Sequence, residues 1–166
     1  MVGICRVMKI FKNYIDSETF NTMKDVMLSE DFIWFFRSSQ VSWEDKDYSE
    51  YFSHTFYVDE KINSDSYKLM LPVIDKLKPK ALIQMRANLV VQKHDHFKSE
   101  FHTDFDFKCN TAIFYLNTNN GYTEFENGEI VKCEENTLVT FDSQIKHRAV
   151  SQTDTKQRVV VNINYF

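Results

Sequence analysis

Glycine and proline are scarce in this chain, with 3 and 2 residues among 166. This scarcity excludes collagen-like and low-complexity classes, and 15 phenylalanines and 8 tyrosines argue against intrinsic disorder. No apolar run reaches the length of a membrane-spanning helix, and no charged-then-apolar leader precedes a cleavage site. We therefore expect residues 1–166 to form one domain with a substantial core and no membrane association.

The chain also has few cysteines and no excess of positive charge. Cys5, Cys109 and Cys133 are odd in number and lack a C-x-x-C spacing, which suits a reducing cytoplasm better than a disulfide scaffold. Cys109 and Cys133 fall in predicted strands, where small core residues are expected. The net charge of −4 gives no signal for nucleic-acid binding. A cytoplasmic protein acting on a small molecule or a peptidyl residue is the prediction, with its oligomeric state left open.

The first 80 residues are predicted to contain two helices that support the rest of the fold. Apolar periodicity and Asp, Asn or Ser caps place these helices over 17–28 and 64–77. Pro72 lies inside the second and is expected to kink it. The other predicted elements are an initial strand within 1–14, a strand or packed turn at 31–36, a polar loop over 38–55 and a short strand over 55–58.

From residue 81 onward the apolar pattern changes to a period of two, which indicates strands. The Asn127-Gly128 pair predicts a hairpin turn between two of them. Two helices backing about eight short strands is what a jelly-roll, or double-stranded β-helix, requires. The predicted fold class is mostly β with N-terminal helices, with a core over 81–166. Its predicted strands are 82–92, 109–116, 122–126, 129–133, 137–141, 148–150 and 157–166.

A candidate metal site appears in the same part of the chain. His102 and Asp104 are two residues apart, so on a strand their side chains share a face. His147 follows 43 residues after Asp104, and Arg158 follows 11 residues after that. Two imidazoles and one carboxylate leave three open positions on an octahedral ion, as in non-haem Fe(II) oxygenases. The alternative is that both histidines are ordinary polar residues at strand ends; His94 and His96, a rival pair, are expected to be solvated.

Residues 101–166 resemble the core of the Fe(II)/2-oxoglutarate-dependent dioxygenases, of the short, single-domain, prolyl-4-hydroxylase-like type found in bacteria and phages. The matching pieces are His102-Thr103-Asp104, the run Thr111 to Asn117, His147, and Arg158 leading into Asn162 to Phe166. The resemblance implies that His102, Asp104 and His147 bind Fe(II) and are catalytic. It also implies use of 2-oxoglutarate and O2, release of succinate and CO2, and support by ascorbate.

Arg158 is the main candidate for binding 2-oxoglutarate. It interrupts the apolar run Val159-Val160-Val161, where an unpaired cation would be costly, and its planar guanidinium suits a carboxylate. The alternative is an edge-strand arginine that points to water. The resemblance implies that its partner is the C5 carboxylate of 2-oxoglutarate. Asn162 and Asn164 share its face of the strand by period two and are predicted to line the same cavity.

Other candidate contacts to 2-oxoglutarate come from neighbouring strands. The resemblance implies that the Tyr115 hydroxyl reaches the cosubstrate carboxylate, and Thr111 lies on the same strand face. Asn88 and Arg86, on the strand before the metal motif, are weaker candidates. The alternative for Tyr115 is a core aromatic residue.

The substrate is not readable from the sequence. Gly121 is followed by tyrosine where larger prolyl hydroxylases often carry a second glycine, and Asn164 stands where some relatives have a bulky aromatic residue. Hydroxylation of a prolyl or other amino-acid residue is one expectation, and oxidation of a small metabolite or nucleobase is another. A non-catalytic, cupin-like binding module is the third. Trp43, Tyr48 and Tyr51 are the aromatic residues that could meet a substrate.

Overall fold

The computed structural model describes residues 8–38 and 50–166. The beginning of the predicted initial strand, together with Cys5, Trp43 and Tyr48, therefore lies outside the described residues. The rest of that strand is short, since β1 covers only Lys9–Phe11.

Two helical regions precede the main strands. Helix α1 covers Ser17–Met27, and the Asp16 side chain caps it by accepting from the Thr19 backbone N–H at 2.9 Å. The second region begins as a 3-10 helix, Asp65–Met70, and continues as α2, Leu71–Leu77. Pro72 lies in the first turn of α2, where a missing N–H costs nothing, so it starts a helix instead of kinking one.

Eleven strands are assigned within the described residues. The first four are β1 Lys9–Phe11, β2 Phe35–Arg37, β3 Tyr51–Val58 and β4 Lys61–Ile62. The others are β5 Leu82–Val91, β6 Asn110–Tyr115, β7 Tyr122–Phe125, β8 Ile130–Lys132, β9 Thr137–Asp142, β10 His147–Val150 and β11 Gln157–Tyr165. The prediction of a loop over 38–55 followed by a short strand over 55–58 placed the start of that strand too late. The strand begins at Tyr51, because its buried residues pair with β5.

These strands form two antiparallel sheets. Within the described residues the larger sheet has the order β1-β9-β6-β11-β5-β3-β2, with β4 attached to β3, and the smaller has the order β10-β7-β8. The segment 98–102 adds to the edge of the smaller sheet through bridges from Lys98 to Val150 and from His102 to His147. The two helices and mostly antiparallel strands agree with the predicted fold class.

Strand β11 separates two apolar clusters. Val159, Val161 and Ile163 face one cluster, which also contains Met23 of α1 and Val73 of α2. The second cluster lies between the sheets. Its members are Ile113, Tyr115, Phe125, Val131, Cys133, Val139, Phe141 and Val160. The helices therefore cover one face of the large sheet, and the small sheet packs on the other. Val26 of α1 lies on the side of the helix away from this cluster and is 42 % exposed.

None of the helices in the described part of the chain is long and apolar enough to cross a membrane.

Asn136 ties the N-terminal segment to the large sheet. Its side chain accepts from the Ile15 N–H at 3.0 Å and donates to the Ile15 carbonyl at 2.8 Å. Its backbone carbonyl accepts from the Tyr14 N–H at 2.8 Å. The residue has a positive φ of 52°, which asparagine tolerates better than most residues.

Replacing Asn136 by alanine should lower the free energy of unfolding by about 2–4 kcal/mol, because two buried backbone groups lose their partners and alanine is strained at positive φ. Asn136→Gly removes the same hydrogen bonds without that strain, so it should cost less. Urea unfolding followed by circular dichroism measures both. An Asn136→Ala protein as stable as wild type would contradict this role.

Candidate metal centre

The segment that carries His102 is held against β10 by backbone and side-chain bonds. His102 and His147 exchange two backbone hydrogen bonds, each 3.0 Å long. The Arg148 guanidinium lies 4.1 Å from the centroid of the Phe101 ring and forms an ion pair with Glu124 at 2.8 Å. This pairing sets the two imidazoles side by side, with ring centroids 4.7 Å apart.

Both imidazoles are oriented in the way that a metal ligand requires. His102 Nδ1 lies 3.1 Å from the Glu100 carbonyl oxygen, and His147 Nδ1 lies 3.1 Å from the Ile145 carbonyl oxygen. Because a carbonyl oxygen can only accept, each Nδ1 carries the proton in the neutral ring. Each Nε2 is then left with a free lone pair, and carbonyl contacts of this kind are usual for metal-binding histidines.

The two oxygens of Asp104 have different surroundings. Oδ1 lies 3.6 Å from His147 Nε2 and 4.0 Å from His102 Nε2. Oδ2 accepts from the Thr111 hydroxyl at 2.6 Å and from the Asn164 amide at 2.7 Å. The carboxylate is thereby fixed with one oxygen directed to the histidines.

His102, Asp104 and His147 fit a divalent metal such as Fe(II). Their ligand atoms lie within 4.8 Å of one another, and they form the one group of three or more such side chains among the described residues. Atoms 3.6–4.0 Å apart can both reach one ion at about 2 Å. Burial lowers the pKa of His147, with the Asp104 carboxylate opposing that shift, so the neutral ring that binds metal is favoured near pH 7.

A cavity of about 430 Å³ opens from this centre between the two sheets. Its floor comes from alternate residues of β5 and β11, which are paired across the two strands. The pairs are Val90 with Arg158, Asn88 with Val160, Arg86 with Asn162, and Gln84 with Asn164. Ile113 of β6 extends this floor, Thr123 and Ala149 of the small sheet lie opposite it, and Phe105 and Tyr51 also line the cavity.

Arg158 is 2 % exposed, and neighbouring residues pack closely around its side chain. Its Nε donates to the Cys133 sulfur at 3.0 Å. A Cβ atom on Gly121 would lie 2.9 Å from the Arg158 Cδ, so only glycine leaves room for the arginine stem. Among the described residues no carboxylate forms an ion pair with Arg158. A buried guanidinium that lines a cavity without an acidic partner is suited to an anionic ligand.

The other predicted cosubstrate residues occupy different places. Asn162, Asn164 and Asn88 line the cavity, but the Asn164 amide is committed to Asp104 and to the Thr111 hydroxyl. Tyr115 is fully buried behind the cavity wall. Its hydroxyl donates at 2.8 Å to Thr123, which does line the cavity, and burial raises the pKa of the Tyr115 phenol.

Sequence reasoning missed Thr123 and the support that Gly121 and Cys133 give to Arg158. Thr123 faces the cavity because β7 pairs with β10, with Phe125 opposite His147. The two-residue period of the strand before Asn127-Gly128 could have indicated that Thr123 and Phe125 share a face. No signal in the sequence gives the register between β7 and β10.

The remaining described histidines have structural or solvent-exposed positions. His54 Nδ1 lies 2.8 Å from the Ile33 carbonyl oxygen, and its Nε2 lies 2.8 Å from the Ser64 hydroxyl. His94 is exposed beside Asp95, and His96 contacts the Ser151 carbonyl oxygen. None of these three lines the cavity.

Comparison with solved structures identifies the fold. A 2OG-Fe(II) oxygenase family oxidoreductase from Burkholderia pseudomallei is similar with a TM-score of 0.73 at 9% identity, covering 95% of this chain and 84% of that one. A Pseudomonas putida prolyl-4-hydroxylase gives 0.63 at 14% identity, covering 97% and 93%. The α-ketoglutarate-dependent epimerase SnoN from nogalamycin biosynthesis gives 0.68 at 12%, covering 97% and 78%.

This chain has the 2OG-Fe(II) oxygenase fold. The double-stranded β-helix predicted from the sequence is confirmed, with prolyl hydroxylases among the structural neighbours. The His-Asp-His triad of the fold is present and complete. No family model matches the sequence, and no curated protein matches it either.

The Thr111→Val substitution should weaken metal binding about 10-fold, because it removes one of the two donors that fix Asp104 Oδ2 without changing the size of the side chain. Titration of the metal-free protein with Mn(II), followed by electron paramagnetic resonance, measures the affinity. Thr137→Val is the matched control, since Thr137 is buried on β9 and does not contact Asp104. Equal Mn(II) affinity in wild type and Thr111→Val would show that the hydroxyl does not position the ligand.

Proposed function

We propose that this protein is an Fe(II)- and 2-oxoglutarate-dependent oxygenase that hydroxylates a substrate C–H bond. The proposal rests on one observation: the same cavity contains a complete metal triad and the buried Arg158, which has no acidic partner among the described residues. A metal store has no need of a buried cation in the adjoining cavity. A 2-oxoglutarate enzyme does, because the cosubstrate has a second carboxylate beyond its metal-binding end.

The chain's own residues would divide the work as follows. His102, Asp104 and His147 would hold Fe(II), and Arg158 would bind the distant carboxylate of 2-oxoglutarate. Thr123 already accepts from the Tyr115 hydroxyl, so its own proton is free to be donated to that carboxylate. Tyr115 would therefore act on the cosubstrate through Thr123, and not by the direct contact that the resemblance implies.

When bound, iron with 2-oxoglutarate and O2 would supply an oxidative decarboxylation that releases succinate and CO2 and is coupled to conversion of a substrate C–H bond to C–OH. The protein's part is to orient the two organic molecules and to limit water near the metal. Ile113, Ala149 and Val160 supply apolar surface to the cavity for this purpose. Asn162 and Asn88 offer amide groups there, and we assign them to ligand orientation.

Three further expectations remain proposals. The division into a supporting region, 1–80, and a core, 81–166, of one domain is supported by the position of the triad and cavity residues, nearly all of which follow residue 81. A cytoplasmic location follows from cysteine usage alone. Ascorbate would act only as a supporting reductant, since no residue group is needed to bind it.

Protein reconstituted anaerobically with Fe(II) and 2-oxoglutarate should form succinate when oxygen is admitted, and His147→Ala and Arg158→Ala should lose at least about 100-fold of that activity. Loss of His147 removes a metal ligand, and loss of Arg158 removes the carboxylate partner. Chromatographic assay of succinate is the measurement, and His94→Ala is the control on an exposed histidine. Folded, metal-loaded wild-type protein that neither binds 2-oxoglutarate nor forms succinate would point instead to the non-catalytic, cupin-like module.

The Gly121→Ala substitution should weaken 2-oxoglutarate binding about 10-fold or more, because the new methyl group would lie 2.8 Å from the Val150 carbonyl oxygen and 2.9 Å from the Arg158 Cδ, so both β10 and the arginine stem would have to shift. Anaerobic titration of the Fe(II) protein, followed by its visible absorption, measures this affinity. Gly128→Ala is the control: Gly128 lies in the loop between β7 and β8 at φ 87°, where alanine is strained, but nothing is within 4 Å of a Cβ placed there. Similar losses in both variants would indicate general destabilisation, not displacement of Arg158.

A further inference from the structure

A second arginine lines the cavity, and the proposed chemistry leaves it without a role. Arg86 lies on β5 between Asn162 of β11 and Thr55 of β3. Its Nε atom is inaccessible to solvent and has no hydrogen-bond partner within the described part of the chain. No ion pair to Arg86 exists among residues 8–38 and 50–166. Partial desolvation of a guanidinium that has no hydrogen-bond acceptor is unfavourable. Arg86 is therefore suited to a ligand that brings an acceptor into the cavity.

The charges of the cavity lead to the same requirement. Among the described lining residues the charged side chains are Arg86, Arg158 and Asp104, which together leave one positive charge. A divalent metal adds two positive charges, and the two carboxylates of 2-oxoglutarate cancel them. One positive charge therefore remains after metal and cosubstrate are bound. An anionic group on the primary substrate would neutralise it.

The neighbours of Arg86 favour a carboxylate in particular. Gln84 and Asn88 flank Arg86 on the same face of β5, and Asn162 is paired with it on β11, so three amide side chains line the cavity beside the guanidinium. Amide NH2 groups and a guanidinium are all donors to the oxygens of a carboxylate. The described lining offers no negative group besides the metal ligand Asp104, so a cationic substrate would gain little here.

Arg86 and Arg158 belong to different parts of the cavity. Arg86 is paired with Asn162, and Arg158 is four residues away from Asn162 along β11. Four residues of strand span about 13 Å, so the backbones of the two arginines are separated by roughly that distance. The next pair on the cavity face after Arg86 and Asn162 is Gln84 with Asn164, and Asn164 contacts the metal ligand Asp104.

We propose that Arg86, with Asn162, binds a carboxylate of the primary substrate, and that this substrate is a small free acid. The proposal rests on the proposed function, since it assigns the cosubstrate to Arg158. A prolyl residue inside a peptide has neutral amides on both sides and offers no partner for Arg86. A free amino acid or another small organic acid carries the required group.

Formate is a suitable probe because it is the smallest carboxylate and makes no demand on the shape of the rest of the substrate. The protein is loaded with Mn(II) in place of iron and saturated with 2-oxoglutarate, whose binding is measured separately by calorimetry. Titration with ¹³C-formate then follows the transverse relaxation of its carbon, which Mn(II) enhances only when formate is bound near the metal. Wild type, Arg86→Gln and Arg86→Lys are compared, and Arg37→Gln is the matched control outside the cavity lining.

The expected result is saturable relaxation enhancement in wild type and Arg37→Gln, with formate affinity lower by about 10- to 100-fold in Arg86→Gln. Arg86→Lys should retain part of the affinity, and all four proteins should bind 2-oxoglutarate alike. Equal enhancement in wild type and Arg86→Gln would place formate on the metal alone and overturn the proposal. So would a loss of 2-oxoglutarate binding in Arg86→Gln, which would make Arg86 part of the cosubstrate site. Failure of wild type to bind 2-oxoglutarate at all would instead contradict the proposed function.

Discussion

The two-residue alternation of β11 is the constraint on which the rest of the structure depends. Its odd-numbered residues Val159, Val161 and Ile163 are fully buried toward the helices, while its even-numbered residues face the cavity. If the register shifted by one residue, Arg158, Asn162 and Asn164 would face the apolar core, and the valines would face the cavity. Pairing on both sides, with β5 and β6, prevents that slip. The core and the ligand site are thus specified by the same nine residues.

The metal centre joins the two sheets through its three side chains. Asp104 is held by Thr111 of β6 and by Asn164 of β11, both in the large sheet. His147 belongs to β10 of the small sheet, and His102 is bridged to it. The distance between the carboxylate and the imidazoles therefore depends on how the sheets pack. Metal binding should in turn favour that packing, because the ligands come together only in the folded chain.

Residue type and spacing were enough to predict the capped α1 helix, the strand-rich fold class and the His102–Asp104 pair, because each depends on local sequence or on the two-residue period of strands. His147 lies 43 residues after Asp104, and its place in the triad was predicted from the resemblance to the dioxygenase family. The sequence could not show that Asn164 would contact Asp104, since those residues are 60 positions apart and meet only through the pairing of β6 with β11. The same holds for Gly121 and Cys133 against Arg158. The early start of β3 was missed because its polar residues Ser53 and His54 are buried by tertiary contacts, including the bond from His54 to the Ser64 hydroxyl.

In the proposed enzyme, the electrostatics of the cavity would favour binding of the cosubstrate before the substrate. With a divalent metal in place, the described lining would carry three positive charges, and the dianion 2-oxoglutarate neutralises two of them. Only after 2-oxoglutarate has bound would the single remaining positive charge match that of a monoanionic substrate. A monoanion that arrived first would meet a stronger attraction, and Arg158 and the metal would compete with Arg86 for it. Tight occupation of Arg158 by the cosubstrate is therefore what would reserve Arg86 for the substrate. In the proposed enzyme, the fit of Gly121 and Cys133 around Arg158 would then contribute to substrate selection as well as to cosubstrate binding.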